Sequence, residues 1–199
     1  MFQRTRPTPG RYLAIAAVLC VFLFQAATAR GVREPAPGIL LVASERMGDP
    51  RFNRSVVLLI EHDHSGTWGV IINKPTQIDV SELVPAIEPG GGVPVYFGGP
   101  VRVEHLRFLY RDDDADSDRA GLPGVVWSES GEELKERLAG NPSRLRVYAG
   151  YAGWAPGQLT LEIAHGGWRM IEGRPGNVFS DDPDRLWQRL NSALDGVEI

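Results

Sequence analysis

The sequence predicts an α+β fold built on a mixed β-sheet, and three observations carry that prediction. Gly38–Ala43 (GILLVA) and Val56–Ile60 (VVLLI) are continuous apolar runs, too short for independent helices and rich in branched residues, so they read as buried strands. Turn signals then recur every 8–15 residues from Gly38 onward. Helical segments are scattered among hairpins and do not alternate regularly with strands, which disfavours a doubly wound parallel sheet.

Each element follows from local chemistry. Between the first two strands, Asp49-Pro50 starts a single helical turn. A Ser65-Gly66 turn returns the chain as Trp68–Asn73 (WGVIIN), closing a hairpin. Asp79–Ile87 reads as a short helix capped by Asp79 or Ser81, and Pro89–Gly92 as a flexible break. Val95–Phe97 and Arg107–Tyr110 are strands joined through Gly98-Gly99-Pro100, with an acidic loop over Asp112–Asp118 (DDDADSD). Ser130–Ala139 is a helix with Ser130 as N-cap, Glu133 three residues on, and Gly140 as its stop.

Arg144–Tyr151 alternates as a strand. Pro156–His165 carries both signals: Leu159, Leu161 and Ile163 alternate, yet Pro156 and Gly166-Gly167 punctuate a helix, and helix is the reading adopted. Trp168–Ile171 is a short strand. The last helix is capped by Ser180 or Asp182, with Pro183 in its first turn and Leu186, Trp187, Leu190, Ala193 and Leu194 on one face.

Residues 1–29 read as an export signal: Arg4, Arg6 and Arg11, an apolar run from Tyr12 to Phe24, and the small-x-small pattern Ala27-Thr28-Ala29. If the signal is not cleaved, residues 12–29 serve as a membrane anchor. Residues 30–37 are a proline-containing leader, and 38–199 form one domain. The expected location is periplasmic or secreted. The apolar share of 43% and charged share of 23% fit a globular domain. The formal charge of −4 falls to −7 on cleavage, which removes three arginines and no acid. With no basic stripe, arm or helix-turn-helix pattern, direct nucleic-acid contact is not expected. The lone Cys20 lies within the signal, which excludes a disulfide framework and a zinc knuckle.

Enzymatic signatures are absent: there is no GxSxG, P-loop or GxGxxG, and no cysteine nucleophile after cleavage. His62 and His64 lie two apart on a strand, but a zinc site needs a third protein ligand, so a polar hairpin tip is the better reading. The spaced aspartates from Asp112 lack the glycine and glutamate of a calcium loop. Asn53-Arg54-Ser55 fits the N-glycosylation triplet, relevant only in a host with that machinery. No cofactor or metal is expected, and the partner is a protein or a small molecule.

Two glycine-and-aromatic clusters stand out, Tyr96-Phe97-Gly98-Gly99-Pro100 and Gly150–Gln158 (GYAGWAPGQ). Glycines permit close backbone approach, and the rings suit either a packed corner or a pocket wall. The clusters are expected to meet in space. If they form a pocket or partner surface, Asn73, Lys74, Tyr151, Trp154 and Gln158 are the side chains to line it, around Gly98, Gly99 and Pro100 and with His62 as a further candidate.

Read together, MGDPRF at 47–52, EHxxxGxxGxxINKP at 61–75, GGPV at 98–101 and GYAGWAPGQL at 150–159 resemble the YqgE/AlgH family. The resemblance implies an α+β fold in which a bifurcated, barrel-like mixed sheet is flanked by helices. It also implies a family label of transcriptional regulator, without an assigned biochemical activity. Two departures are visible. The family's members are typically cytoplasmic, whereas this chain begins with an export signal. Where the family carries a leucine–histidine pair at a strand end, this chain has Leu109-Tyr110. The reading adopted is an exported, non-enzymatic ligand- or protein-binding domain, with a cytoplasmic regulator acting through a protein partner as the alternative and a hydrolase or metal-dependent enzyme as the third.

Overall fold

Strands β1 (Ile39–Ala43) and β2 (Val56–Asp63) are apolar on consecutive positions because both faces of the sheet are covered here. Leu40, Val42, Val56 and Leu58 face one core, and Leu41, Ala43, Val57 and Leu59 face another. The computed structural model describes residues 34–84, 92–112 and 120–196. Pro35–Ile199 forms one compact unit. The segment read as an export signal, most of the expected leader, residues 113–119 of the expected acidic loop, the second half of the expected Asp79–Ile87 helix and residues 89–91 of the expected glycine break lie outside the described residues.

β2 and β3 (Gly66–Ile71) form the expected hairpin, its tip closed by Asp63 Oδ1, which accepts from the N–H and the hydroxyl of Ser65. Next come β4 (Pro75–Asp79) and α1 (Val80–Leu83), capped by Asp79. The chain continues through β5 (Pro94–Phe97), β6 (Val101–Arg111) and β7 (Val125–Ser128) to α2 (Gly131–Ala139), whose cap is Ser130. β8 (Leu145–Trp154), α3 (Gln158–Ala164) and β9 (Trp168–Glu172) follow, then α4 (Pro175–Val178) and α5 (Leu186–Leu194). The Pro156–His165 segment is thus helical, as its punctuation predicts. β4 and β7 are strands that the sequence reading does not anticipate, and β6 begins six residues earlier than expected.

Along the sheet the order is β4-β5-β8-β3-β2-β1-β9, with β6 between β8 and β7 off that path. Only β5 and β8 run parallel among the described pairings. The bifurcation lies on β8. Its first half pairs with β5 and β6, whereas Ala152, Gly153 and Trp154 pair with β3. Gly150 marks the fork with φ +70°, and a Cβ there would lie 2.8 Å from the Val101 carbonyl oxygen. The nine-stranded sheet stays open; it does not close into a barrel. α3 packs Leu159 against one face, α5 packs Leu186 and Trp187 against the other, and α2 covers the far arm with Leu134.

The last helix starts later than its cap signals predict. Leu186 N–H donates to the Pro183 carbonyl and Arg185 N–H to Asp182 Oδ1, so Asp182-Pro183 shapes a preceding turn. Ala193 of the expected apolar face is exposed, and Asn191 is buried instead, accepting from Arg169.

Tyr148, on β8, is fully buried, and its hydroxyl has no hydrogen-bond partner among the described residues. Burial pushes its phenol well above the ordinary tyrosine range. The folded chain therefore keeps this proton at pH values where the unfolded chain loses it. Stability present below about pH 10 should fall above it, by about 1.4 kcal/mol per pH unit from this group. Urea titrations of Tyr148→Phe between neutral and alkaline pH should show a shallower alkaline decline and nearly unchanged neutral stability. Tyr96 and Tyr110, also raised by burial, keep part of the slope.

Candidate functional site

The two glycine–aromatic segments meet, as expected. Phe97 pairs with Ala149, Gly98 N–H donates to the Ala149 carbonyl at 2.9 Å, and the Gly98 carbonyl accepts from Ile71 at 2.9 Å. Gly99 lies against the Tyr151–Ala152 peptide so closely that no side chain fits between them. The crossing joins the β5 end to β8 and β3.

Three of the sequence candidates work elsewhere. Asn73 is buried, its Oδ1 accepting from Val56 N–H at 2.7 Å and its Nδ2 donating to the Arg54 carbonyl at 2.9 Å, which ties the start of β2 to the residues following β3. Lys74 Nζ donates to the Arg51 carbonyl, and its burial lowers its pKa despite nearby Asp49. His62 Nδ1 bonds Thr67 Oγ1 at 2.6 Å across the hairpin. None of the three lines the two clefts beside the crossing. Among the described residues, no three His, Cys, Asp or Glu side chains are grouped to hold a metal.

Pro100, Trp154 and Gln158 share a cleft of about 490 Å³ with Met47, Phe52 and Glu162. Its floor is aromatic. Phe52 stacks on Trp154 at 6.2 Å between centroids and meets Trp168 edge-on at 5.5 Å. Glu162 fixes this cluster: Oε2 accepts from Trp154 Nε1 at 3.0 Å and Trp168 Nε1 at 2.8 Å, and Oε1 accepts from Gln158 Nε2 at 2.9 Å. Sequence reasoning does not single out Glu162 as a site residue; its i,i+4 spacing from Gln158 on a helix flanked by indoles is the signal that could have found it. On the rim, Arg51 pairs with Asp49, whose carboxyl this hydrogen bond holds below the usual range. Arg46 and His165 complete the basic side of the rim.

Tyr151 opens into a second cleft, of about 560 Å³, with Trp68 and Trp127. Trp68 meets Trp127 at 5.1 Å and Tyr151 at 5.9 Å, both edge to face. The Arg107 guanidinium lies 4.7 Å from the Tyr151 ring centre and 5.5 Å from that of Trp68. Its side chain is only 13% exposed, and Nη2 is 3.6 Å from Glu129 Oε2. Trp68 Nε1 donates to Glu61 Oε2 at 2.8 Å. Val101, Gly153 and Trp154 border both clefts. Arg107 is absent from the sequence candidates because strand alternation alone does not mark an arginine as stacked.

Comparison with known proteins matches this fold and these motifs to one family. A family model described as AlgH-like matches residues 40–197. A UPF0301 protein of Streptomyces avermitilis is 40% identical over 164 residues, covering 77% of this chain and 83% of the relative. A UPF0301 protein of Chlorobium chlorochromatii is 37% identical over 164 residues, covering 80% of this chain and 87% of the relative. Two solved structures share the architecture. The crystal structure of a Corynebacterium diphtheriae protein has a TM-score of 0.67 at 31% identity, covering 86% of this chain and 92% of its own. The solution structure of the AlgH protein from Pseudomonas aeruginosa has a TM-score of 0.67 at 28% identity, covering 83% and 94%. The motifs from MGDPRF to GYAGWAPGQL and the forked sheet therefore have one common explanation: the chain belongs to the AlgH-like family, which has no established activity.

Proposed function

We propose that the protein is an exported, non-enzymatic binding domain, and that a small molecule or protein partner docks where the Gly98–Val101 and Gly150–Gln158 segments cross. The observation that carries this reading is the pair of aromatic-walled clefts sharing Val101, Gly153 and Trp154 as a common border. Both fall within the size of ordinary ligand pockets and combine apolar walls with a few fixed polar groups. The polar candidates nearest to chemistry, His62, Asn73 and Lys74, are held in backbone or hairpin bonds, which favours binding over catalysis. Export rests on residues 1–29 and their three signal regions.

Fractionation of the native host followed by N-terminal sequencing tests the location. The expected result is a periplasmic or secreted protein beginning at Arg30. Full-length protein in the membrane fraction would replace cleavage with anchoring by residues 12–29. Full-length protein in the cytoplasm would overturn export and restore the regulator acting through a protein partner.

A further inference from the structure

We propose that the cleft walled by Trp68, Trp127 and Tyr151 binds an organic cation, a guanidinium or alkylammonium group carried by a ligand or a partner side chain. This rests on the binding reading above and assigns a ligand chemistry to one of its two clefts.

Aromatic faces carry negative potential and attract cations, most strongly where water is excluded. Here the rings already hold one guanidinium: Arg107 lies over Tyr151 and Trp68 within the reach of a cation–π contact. The chain itself thus shows that these walls accept a planar cation. Arg107 belongs to a strand position paired with Tyr148, and Glu129 balances its charge at 3.6 Å. Two further carboxylates, Glu61 and Asp63, stand exposed on the rim, so among the described residues the lining carries three carboxylates against one arginine and no lysine or histidine.

Each rim carboxylate is held in place. Glu61 accepts from the Trp68 indole, which fixes that wall. Asp63 is oriented by the Ser65 hydroxyl and N–H, which keep its carboxyl ionised below the usual range. The adjoining cleft lacks this acid excess, since Arg46 and Arg51 stand there against Asp49 and Glu162, so charge distinguishes what each can take.

The test uses the full chain, with its tryptophan indole N–H signals followed by NMR. Titrants are spermidine and N-acetyl-arginine amide, representing a free polyamine and a polypeptide side chain, with inorganic phosphate as the opposite charge. Both cations should move the Trp68 and Trp127 signals saturably, with affinity falling as salt rises. Tighter binding of one of them identifies the source of the ligand. Glu61→Gln with Asp63→Asn keeps both acceptors, removes both charges and should weaken binding roughly 5–30-fold without shifting the melting curve. Glu129→Gln serves as the second variant, with a smaller loss expected.

Absence of any shift with either cation up to about 10 mM would overturn the assignment. So would equal affinity in the charge-removed variants, or phosphate moving the same signals. Shifts confined to the Trp154 and Trp168 indoles would also overturn it, while leaving the wider binding reading to the neighbouring cleft. Cytoplasmic retention would remove export and leave this assignment intact.

Discussion

Trp154→Ala is expected to destabilise the domain by about 3–5 kcal/mol, the cost of deleting a large buried ring into a packed interior. In a domain of this size that lowers the melting temperature by roughly 6–20 °C. Three observations place the indole in the core. It is 5% exposed, it packs with Leu159 and Trp168, and it stacks on Phe52. Its Nε1 donates to Glu162, so truncation also takes one of two indole donors from Glu162 Oε2. The sequence leaves two readings of this residue open, a core indole that folding needs or a pocket wall that binding needs. The structure gives it both positions, since the same residue borders the two clefts. Trp154→Phe should keep most of the packing and lose the donor, costing about 1–2 kcal/mol. Urea unfolding of both variants checks the order. An unchanged melting curve for Trp154→Ala would remove the residue from the core.

Much of this arrangement is legible in the sequence because its causes are local. GILLVA and VVLLI are apolar without alternation, and the structure shows why: α3 and α5 cover the two faces of β1 and β2. Asp49, Asp79 and Ser130 cap the turns and helices they precede because a side-chain oxygen reaches an N–H two or three residues on. β4 is not legible. It begins with a proline, and its Thr76-Gln77-Ile78 stretch has no apolar alternation, because the strand lies at the sheet edge and pairs only at its two ends. β7 spans four residues, too few for a period to show.

The site divides in the same way. Glycines beside aromatic rings signal a close crossing, since the chain must come within contact distance there. The roles of Asn73, Lys74 and His62 depend on partners 5 to 23 residues away, and such side chains attract functional readings that the fold assigns to its own hydrogen bonds. Arg107 and Glu162 show the reverse. Each gathers rings from separate elements, so neither is visible until the sheet brings those rings together.

Gly99→Ala should be among the most damaging single-methyl additions in the chain. Gly99 has φ +149°, a conformation that L side chains rarely adopt, and its added Cβ would collide with the carbonyl carbon of Tyr151 and the nitrogen of Ala152. The obstacle is backbone on both counts, so no rotamer change relieves it. Nor can the segment retreat, because the preceding Gly98 is held through its N–H to Ala149 and through its carbonyl to Ile71. Conformational strain of about 1–3 kcal/mol adds to overpacking of about 1–3 kcal/mol or more. A total of roughly 2–6 kcal/mol is therefore expected. Two other glycines separate these contributions. Gly157 has φ +76° with no described residue within 4 Å of an added Cβ, so Gly157→Ala should show only the conformational cost, about 1–2 kcal/mol. Gly48 has neither a positive φ nor a described neighbour within 4 Å of an added Cβ, and Gly48→Ala should be neutral or stabilising by up to about 1 kcal/mol. Urea midpoints should fall in the order Gly48→Ala, Gly157→Ala, Gly99→Ala. If Gly99→Ala costs no more than Gly157→Ala, the two segments do not cross as closely as the structure places them, and the common border of the two clefts goes with that contact.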